Sequence, residues 1–537
     1  MSRSVSATRL ESRLGIDPVV VGILVFFVAH MAIRLFGTTN FSVDETMTAI
    51  HTQRFQLFYV FANPPLFDWL YFAASRLVGG SLVTMQILKT VLLAGGAIFL
   101  YLAAKPGFRR PVALAGAMAS YGVTVFYGWE ILQLYSHTNA LIFSLGFTLW
   151  AFMRVVRSPR TSDYVLLGVG IALGILSKYL FGLFILALFV AAVRWPGYRT
   201  RLLSWRLVLT LATAIAIMSP LLYGLAGTTD AAFAVVGNKV ASGSDVFSAL
   251  LTVVIQSLQF WLPFTAILWA CLALWPANKE ALAAAHDGAE LPLDEDFFFL
   301  LRDATLVMVA AVLVAVVFLG TRITAGHYLV PVLTLLPMAV FAGLDRRQPF
   351  PQTALHNYRN GAVAVMVGIV VVRFLLFLLA APPFCVPRCI LFVDYTPVVE
   401  RLDLADGKQT IVLSNDSHLA SNLLDSRPDI RVIVPTDRGG LDAGLVGPDD
   451  RDCYFMWFRS YRDPEEQMLE MALARTLRRQ PNEAELAALA PAESIEAGWQ
   501  TKLLRSRWPN PIIGLAQINS SSTLCEASVA ANRRGGL

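Results

Sequence analysis

The sequence predicts an α-helical polytopic membrane protein, with about eleven transmembrane helices, outer amphipathic helices and a C-terminal extracytoplasmic α/β domain. Three observations predict it. Hydrophobic residues make up 56% of the 537 positions and charged residues only 15%, whereas a soluble chain carries about a quarter charged residues. Mean hydropathy is +0.59. The apolar residues form long runs, and the basic residues cluster in short segments between them, which is how a chain sets its orientation across a bilayer. The net charge of +5 therefore reports topology, and no nucleic acid partner is expected.

The apolar runs, in order, are Pro18–Phe36, Ser81–Ala103, Pro111–Tyr127, Ser136–Met153, Tyr164–Leu176, Leu180–Val193, Leu207–Leu225, Phe247–Leu274, Ala304–Leu319, Tyr328–Ala342 and Ala362–Leu379. Arg154, Arg157 and Arg160 precede Tyr164–Val193, and Arg194, Arg199, Arg201 and Arg206 follow it. Both flanks read as cytoplasmic, so this stretch crosses twice, with Lys178 at the outer tip of a hairpin. Arg3, Arg9 and Arg13 place the N-terminus inside, and Lys105, Arg109, Arg110, Lys279, Arg302 and Asp345-Arg346-Arg347 mark further inner segments. The first run is long and lacks a small-residue cleavage site, so no cleavable signal peptide is expected. The organisation predicted is a cytoplasmic N-terminus over 1–17, a membrane domain over 18–380 with its first outer loop at 37–80, and an outer domain over 381–537. Pro276–Asp303, with Asp294-Glu295-Asp296, reads as a solvated connector.

Composition turns polar after Pro383. Thr410–Leu413 reads as a strand, Asp416–Leu424 as a helix and Arg431–Val434 as a second strand, a β-α-β pattern. Tyr454–Phe458 suits another strand. Arg462–Leu477 and Asn482–Ala490 read as helices, and Asn482 and Glu485 have capping-box spacing. No glycine-rich phosphate loop follows the first strand, so no nucleotide site is read there. Cys271 falls within a span, whereas Cys385, Cys389, Cys453 and Cys525 all fall in the outer region. An even count in an oxidising compartment permits two disulfides, and spacing leaves the connectivity open. Zinc on Cys385 and Cys389 is the weaker reading.

The most informative local feature is Asp44-Glu45, within Phe41-Ser-Val-Asp-Glu-Thr-Met-Thr48 and just past the first span. Two adjacent carboxylates at the mouth of a membrane helix are costly to keep dry and mark a site. Asn63-Pro-Pro-Leu-Phe-Asp-Trp-Leu70 follows in the same loop, where proline suits the first turn of a helix. Glu130 and Ser136-His137-Thr138-Asn139 flank the next outer turn, Lys178 stands at the following one, and Arg322, His327 and Tyr328 at a later one. These ionisable clusters all map to one side of the membrane. Carboxylates beside cations at an outer membrane face suit chemistry on an anionic lipid-linked substrate. Against this stand plainer roles: Lys178 as a headgroup anchor, Arg322 as one basic turn among others, and His137 and His327 as structural histidines.

The order of these segments resembles the polytopic GT-C glycosyltransferases, in the protein-mannosyltransferase-like branch that includes the lipid A aminoarabinose transferases. Asp44-Glu45 and Asn63-Pro-Pro-Leu carry the likeness in the first loop. Gly174-Ile-Leu-Ser-Lys-Tyr179 is similar to the family's glycine-containing segment ending in lysine, and Arg322 through His327-Tyr-Leu-Val-Pro331 to its late segment. The match covers residues 15–345.

The resemblance implies a bacterial inner-membrane enzyme, held in the lipid bilayer with its active site facing the periplasm. It implies inverting transfer of a sugar from a polyprenyl-phosphate donor to an acceptor glycan, lipid or protein outside the cytoplasm. Asp44 and Glu45 then serve as the catalytic carboxylates, Lys178 and Arg322 hold the donor phosphate, and Asn63, Glu130, His137, Asn139, His327 and Tyr328 are further candidates. A hydroxyl acceptor needs a base, and the departing lipid phosphate gains charge that fixed cations stabilise. The chain departs from the aminoarabinose transferases at Ala62-Asn63, where they carry an acidic residue and a lysine. Some relatives use a divalent cation and others do not, so no metal is assigned. The rival reading is a lipid-linked-sugar transporter or flippase, which predicts inverted repeats or polar residues deep in the spans; neither is visible.

Overall fold

The computed structural model describes residues 17–59, 63–225, 245–274, 294–321, 325–346, 352–379, 391–402, 409–434, 451–459, 468–477, 479–500 and 510–519. Arg322, Cys385, Cys389 and Cys525 lie outside them. The described residues form two compact units. One is drawn from Met1–Met31, Lys89–Tyr223 and Ala234–Val372, and the other from Ala32–Leu88, Gly224–Phe233 and Arg373–Leu537.

Every apolar run proves helical. The elements are α1 Pro18–Gly37, α2 Val43–His51, α3 Leu66–Val78, α4 Leu82–Ala104, α5 Pro111–Val123, α6 His137–Arg157, α7 Thr161–Ser177 and α8 Phe181–Arg194. They continue as α9 Pro196–Leu202, α10 Leu207–Leu225, α11 Val246–Leu274, α12 Glu295–Leu319, α13 Leu336–Arg346 and α14 Gln352–Leu378. Among the described residues, 8 helical stretches are long and apolar enough to span a bilayer. α8 and α9 form a further bent pair at 119°, and α5 and α7 are shorter apolar helices. The outer surfaces of the spans carry exposed Val, Leu and Phe, as a lipid-facing surface should. Between them lies a continuous core that includes Phe152, Tyr164, Phe181, Phe184, Phe264, Phe297, Phe341 and Tyr358. α4 and α6 cross closely at Gly96 and Gly146: a Cβ on Gly146 would stand 2.2 Å from the Gly96 carbonyl oxygen. Small residues permit such crossings in spans.

The basic flanks are used in ion pairs. Arg154 pairs with Asp163 at 2.6 Å, Arg110 with Asp345 at 2.6 Å and Arg157 with Asp294 at 2.7 Å. The last pair corrects the reading of Pro276–Asp303 as a connector throughout. Asp294 is the N-cap of α12 and also accepts from the Tyr198 hydroxyl at 2.6 Å. The helix therefore starts well before Ala304: the acid anchors its first turn, and Phe297, Leu300 and Leu301 are buried in the core. The run Pro111–Tyr127 also differs. α5 stops at Val123 and a π-helical turn follows over Phe126–Glu130. The Thr124 hydroxyl donates to the Tyr121 carbonyl at 2.9 Å and accepts from the Tyr127 N–H at 3.1 Å. A side chain that competes in this way for backbone partners interrupts a helix.

The second unit contains a five-stranded sheet of order β3-β2-β4-β7-β5. Its strands are β2 Gln409–Ser414, β3 Arg431–Ile433, β4 Arg451–Arg459, β5 Glu493–Glu496 and β7 Ile512–Ile518, while β1 Val393–Asp394 pairs with β6 Gly498–Trp499 in a small ribbon. β2 runs parallel to β3 and β4, and β7 runs antiparallel to β4 and β5. The helices are α15 Thr396–Arg401, α16 Ser417–Ser426, α17 Met468–Leu477 and α18 Glu483–Ala487. Strand alternation divides the core. Val412, Tyr454 and Met456 join one cluster, whereas Ile411, Leu413, Cys453, Phe455 and Trp457 join another. The β-α-β reading holds, with Asp416 capping α16 through its bonds from the His418 and Leu419 N–H groups at 2.8 and 2.9 Å. β1, β5, β6 and β7 were not anticipated; the expected helix Arg462–Leu477 is helical over Met468–Leu477, and its first residues lie outside the described ones. Cys453 is disulfide-bonded.

Candidate active site

The predicted residues gather in two groups, one in each unit. In the second unit, α2 starts at Ser42, and Asp44 and Glu45 occupy its first turn. Acids suit that position because the unpaired N–H groups of the turn carry partial positive charge. The two carboxylates then part company, since neighbours on a helix diverge by about 100°. Glu45 is fully buried. It accepts from the Ser42 N–H at 2.7 Å, from the Gln86 amide at 2.7 Å and from the Arg34 guanidinium at 3.2 Å. Arg34, in the last turn of α1, is itself 2% exposed and also donates to the Thr38 and Asn40 carbonyls. Asp44 is only partly buried. One carboxylate therefore ties α1, α2 and α4 together, and the other remains accessible.

A third carboxyl joins them. Asp68, on α3, is fully buried beside α2. Burial raises its pKa, a hydrogen bond from Thr48 opposes the rise and the Asp44 charge adds to it, for a value of about 8. Thr48 follows Asp44 by one helical turn, so Asp44 and the Asp68 contact share a face of α2. His51, the last residue of the same helix, stacks on Tyr59 with ring centroids 5.9 Å apart. Burial pushes the Tyr59 hydroxyl up, and the Asp68 charge adds to the rise. Asn63 stands immediately before Pro64 and Pro65, where the chain turns into α3 as the sequence predicts.

The Asp68 shift has a measurable consequence. The folded carboxyl keeps its proton between about pH 4 and about pH 8, where the unfolded chain has lost it. Stability attributable to this group is thus present at low pH and lost as pH rises through that window. The melting temperature in detergent is expected to fall between pH 5 and pH 9, and Asp68→Asn, which mimics the protonated acid, to flatten the fall. Equal slopes in the two proteins would assign the pH dependence to other groups.

In the first unit, Lys178 caps α7 at the turn into α8, as expected of a hairpin tip. Gly174 allows that turn: a Cβ there would lie 2.1 Å from the Phe181 ring. The Lys178 ammonium sits 5.5 Å from the centre of the Tyr328 ring. His327 packs on Tyr328 and on Tyr135, at 4.2 and 4.9 Å between centroids. The Asn139 amide donates to the Tyr135 carbonyl at 2.7 Å. Lys178, His327, Tyr328 and Asn139 are thus one neighbourhood. His137 opens α6 and Glu130 closes the π-helical turn. Among the described residues, no group of three or more His, Cys, Asp or Glu side chains is arranged to hold a metal ion.

Sequence reasoning missed Arg34, Gln86, Asp68 and Thr48. Arg34 carried a signal, because a lone arginine inside an apolar run marks a site or a buried partner. Asp68 stood in the quoted loop, but nothing local distinguishes a buried aspartate from a solvated one.

The chain is similar to known proteins in sequence and in fold. Residues 62–223 match the family model described as dolichyl-phosphate-mannose-protein mannosyltransferase. The lipopolysaccharide core galacturonosyltransferase RgtB of Rhizobium johnstonii is 26% identical over 422 residues, covering 78% of this chain and 83% of the relative. RgtA of the same organism, also a lipopolysaccharide core galacturonosyltransferase, is 23% identical over 417 residues, covering 76% and 80%. The crystal structure of ArnT from Cupriavidus metallidurans bound to undecaprenyl phosphate superposes with a TM-score of 0.54 at 13% identity, covering 92% of this chain and 97% of that one. Its apo state gives 0.51 at 14% identity, covering 92% and 96%. These likenesses bear out the resemblance to GT-C polytopic glycosyltransferases.

Proposed function

We propose that this chain, a polytopic glycosyltransferase of the GT-C type resembling ArnT, transfers a hexuronic acid from a polyprenyl-phosphate donor to a lipopolysaccharide core acceptor at the outer face of the bacterial inner membrane. The observation that carries the proposal is the likeness along most of the chain to two lipopolysaccharide core galacturonosyltransferases. The ArnT structure bound to undecaprenyl phosphate supports the donor class.

Asp44 is the base in this reading. It takes the proton of the acceptor hydroxyl while the acceptor oxygen bonds to the anomeric carbon. The bond from that carbon to the phosphate oxygen breaks on the opposite face, and the electron pair leaves with the lipid phosphate. Inversion follows from the single displacement. Lys178 stabilises the departing charge from the turn after α7, aided by Arg322. Glu45 holds the Arg34 cation and fixes the helix that presents Asp44.

Incubation of the purified protein with radiolabelled undecaprenyl-phosphate-linked galacturonic acid and lipopolysaccharide core tests the proposal. Label should move to the core, and mass spectrometry should find one added hexuronate. Label that crosses a vesicle membrane without leaving the lipid would establish the flippase instead. Orientation has its own test: a reporter active only outside the cytoplasm should work when fused after Leu537 and fail after Arg347.

Lys178 offers a sharper check. Lys178→Ala is expected to weaken binding of undecaprenyl phosphate by roughly ten- to a hundredfold, the effect of losing one charge-assisted contact. Lys178→Arg should retain part of it. Unchanged affinity in Lys178→Ala would make the residue a membrane anchor.

A further inference from the structure

The helix that bears Asp44 is built into the C-terminal domain. α2 has 9 residues, too few for an isolated helix to be stable in water. Its Ile50 belongs to the hydrophobic cluster of the domain, with Val412, Leu419, Leu423 and Val432. Gln53, just past its end, donates to the Val432 carbonyl at 2.9 Å and accepts from the Val432 N–H at 3.0 Å. The Asn40 amide donates to the Val393 carbonyl at 2.7 Å.

The start of α2 is held by α16. The Asn422 side-chain oxygen accepts from the Phe41 N–H at 2.9 Å, and the His418 imidazole bonds the Phe41 backbone. Asn422 is 2% exposed, and its amide nitrogen is committed to the His418 carbonyl at 2.7 Å. Its oxygen is thereby directed at Phe41. The Phe41 backbone precedes Asp44 by three residues, so its placement sets where the first turn begins and where Asp44 points.

We propose that Asn422 is a positioning residue for the Asp44 base, and that the C-terminal domain is therefore part of the catalytic apparatus rather than an appended module. The proposal rests on Asp44 being the base. It requires that loosening Phe41 slows chemistry while the donor still binds, because misplacement of a catalytic group by about 1 Å costs up to a hundredfold in rate.

The test uses the full chain in nanodiscs, with radiolabelled undecaprenyl-phosphate-linked galacturonic acid for turnover and undecaprenyl phosphate for binding. Asn422→Ala should lower kcat by about ten- to a hundredfold, with donor KM and the stoichiometry of undecaprenyl phosphate binding unchanged. Asn422→Gln keeps both the acceptor oxygen and the amide donor on a side chain one methylene longer, and should retain more of the rate than Asn422→Ala. Asn422→Ser, polar but too short to reach Phe41, should behave as Ala and serves where Asn422→Ala fails to fold. A loss of kcat matched by an equal loss of binding stoichiometry would reduce Asn422 to a folding role and overturn the proposal. Wild-type kcat in Asn422→Ala and Asn422→Ser beside an inactive Asp44→Asn would sink the proposal alone. Full activity in Asp44→Asn would sink the reading of the base, and the proposal with it.

Discussion

Asp44→Asn is expected to lower the rate of sugar transfer by about 10²–10⁴-fold, the usual cost of removing a general base. The substitution keeps the shape and the helix-start position but removes the proton acceptor. Asp44 is the partly exposed member of the acid pair, so a substrate hydroxyl can reach it without displacing core packing. Binding of undecaprenyl phosphate and the melting temperature should stay at wild-type values, because the Glu45 contacts to Ser42, Gln86 and Arg34 still hold α2 in place. Transfer at the wild-type rate, with Glu45→Gln inactive yet fully folded, would move the base one residue along. Full activity in both would make the pair a helix start and nothing more.

Glu45→Gln should act on stability instead. The Arg34–Glu45 pair is 3.2 Å long, with side chains 2% and 0% exposed. Removing one partner of a buried ion pair leaves the other charge uncompensated and typically costs about 3–5 kcal/mol. The variant is expected to melt well below wild type and to purify in reduced yield. Adding Arg34→Met removes the orphaned charge and should restore much of the loss, because an apolar side chain of similar length fills the same space. In the double variant, the amide carbonyl introduced by Glu45→Gln can still accept from the Ser42 N–H. Thermal melting of the wild type, both single variants and the double variant gives the coupling directly. A Glu45→Gln protein as stable as wild type would show that the pair contributes no net stability.

Much of the scaffold was legible because hydrophobic periodicity and caps are local. The run Leu207–Leu225 is the helix observed, residue for residue. Asn482 caps α18 as its spacing predicts, accepting from the Glu485 N–H at 2.8 Å while Glu485 accepts from the Asn482 N–H at 2.9 Å. The Lys178 turn was legible from charge on the flanks of a single apolar stretch. β7 was not, although it lies between β4 and β5. Its Ile-Ile-Gly-Leu-Ala-Gln-Ile segment has no clean alternation, since a strand buried on both faces has none to show. The break after Val123 was missed because one threonine hydroxyl decides it, and threonines within apolar helices usually do no such thing.

The sequence by itself determined the membrane class, the position of the apolar helices, the α/β character of the last third and the acid pair just past the first apolar run. These follow from composition, periodicity and neighbouring residues, all of which act within a few turns of chain. The tertiary structure decided the division of labour inside the pair, the burial of Asp68 and the hold of the C-terminal domain on α2. Those depend on side chains that meet across long separations: Gln86 reaches Glu45 from 41 residues away, and Asn422 reaches Phe41 from 381. Whether a carboxylate is a base or a tether depends on which groups desolvate it and which donate to it, and folding alone brings those groups together.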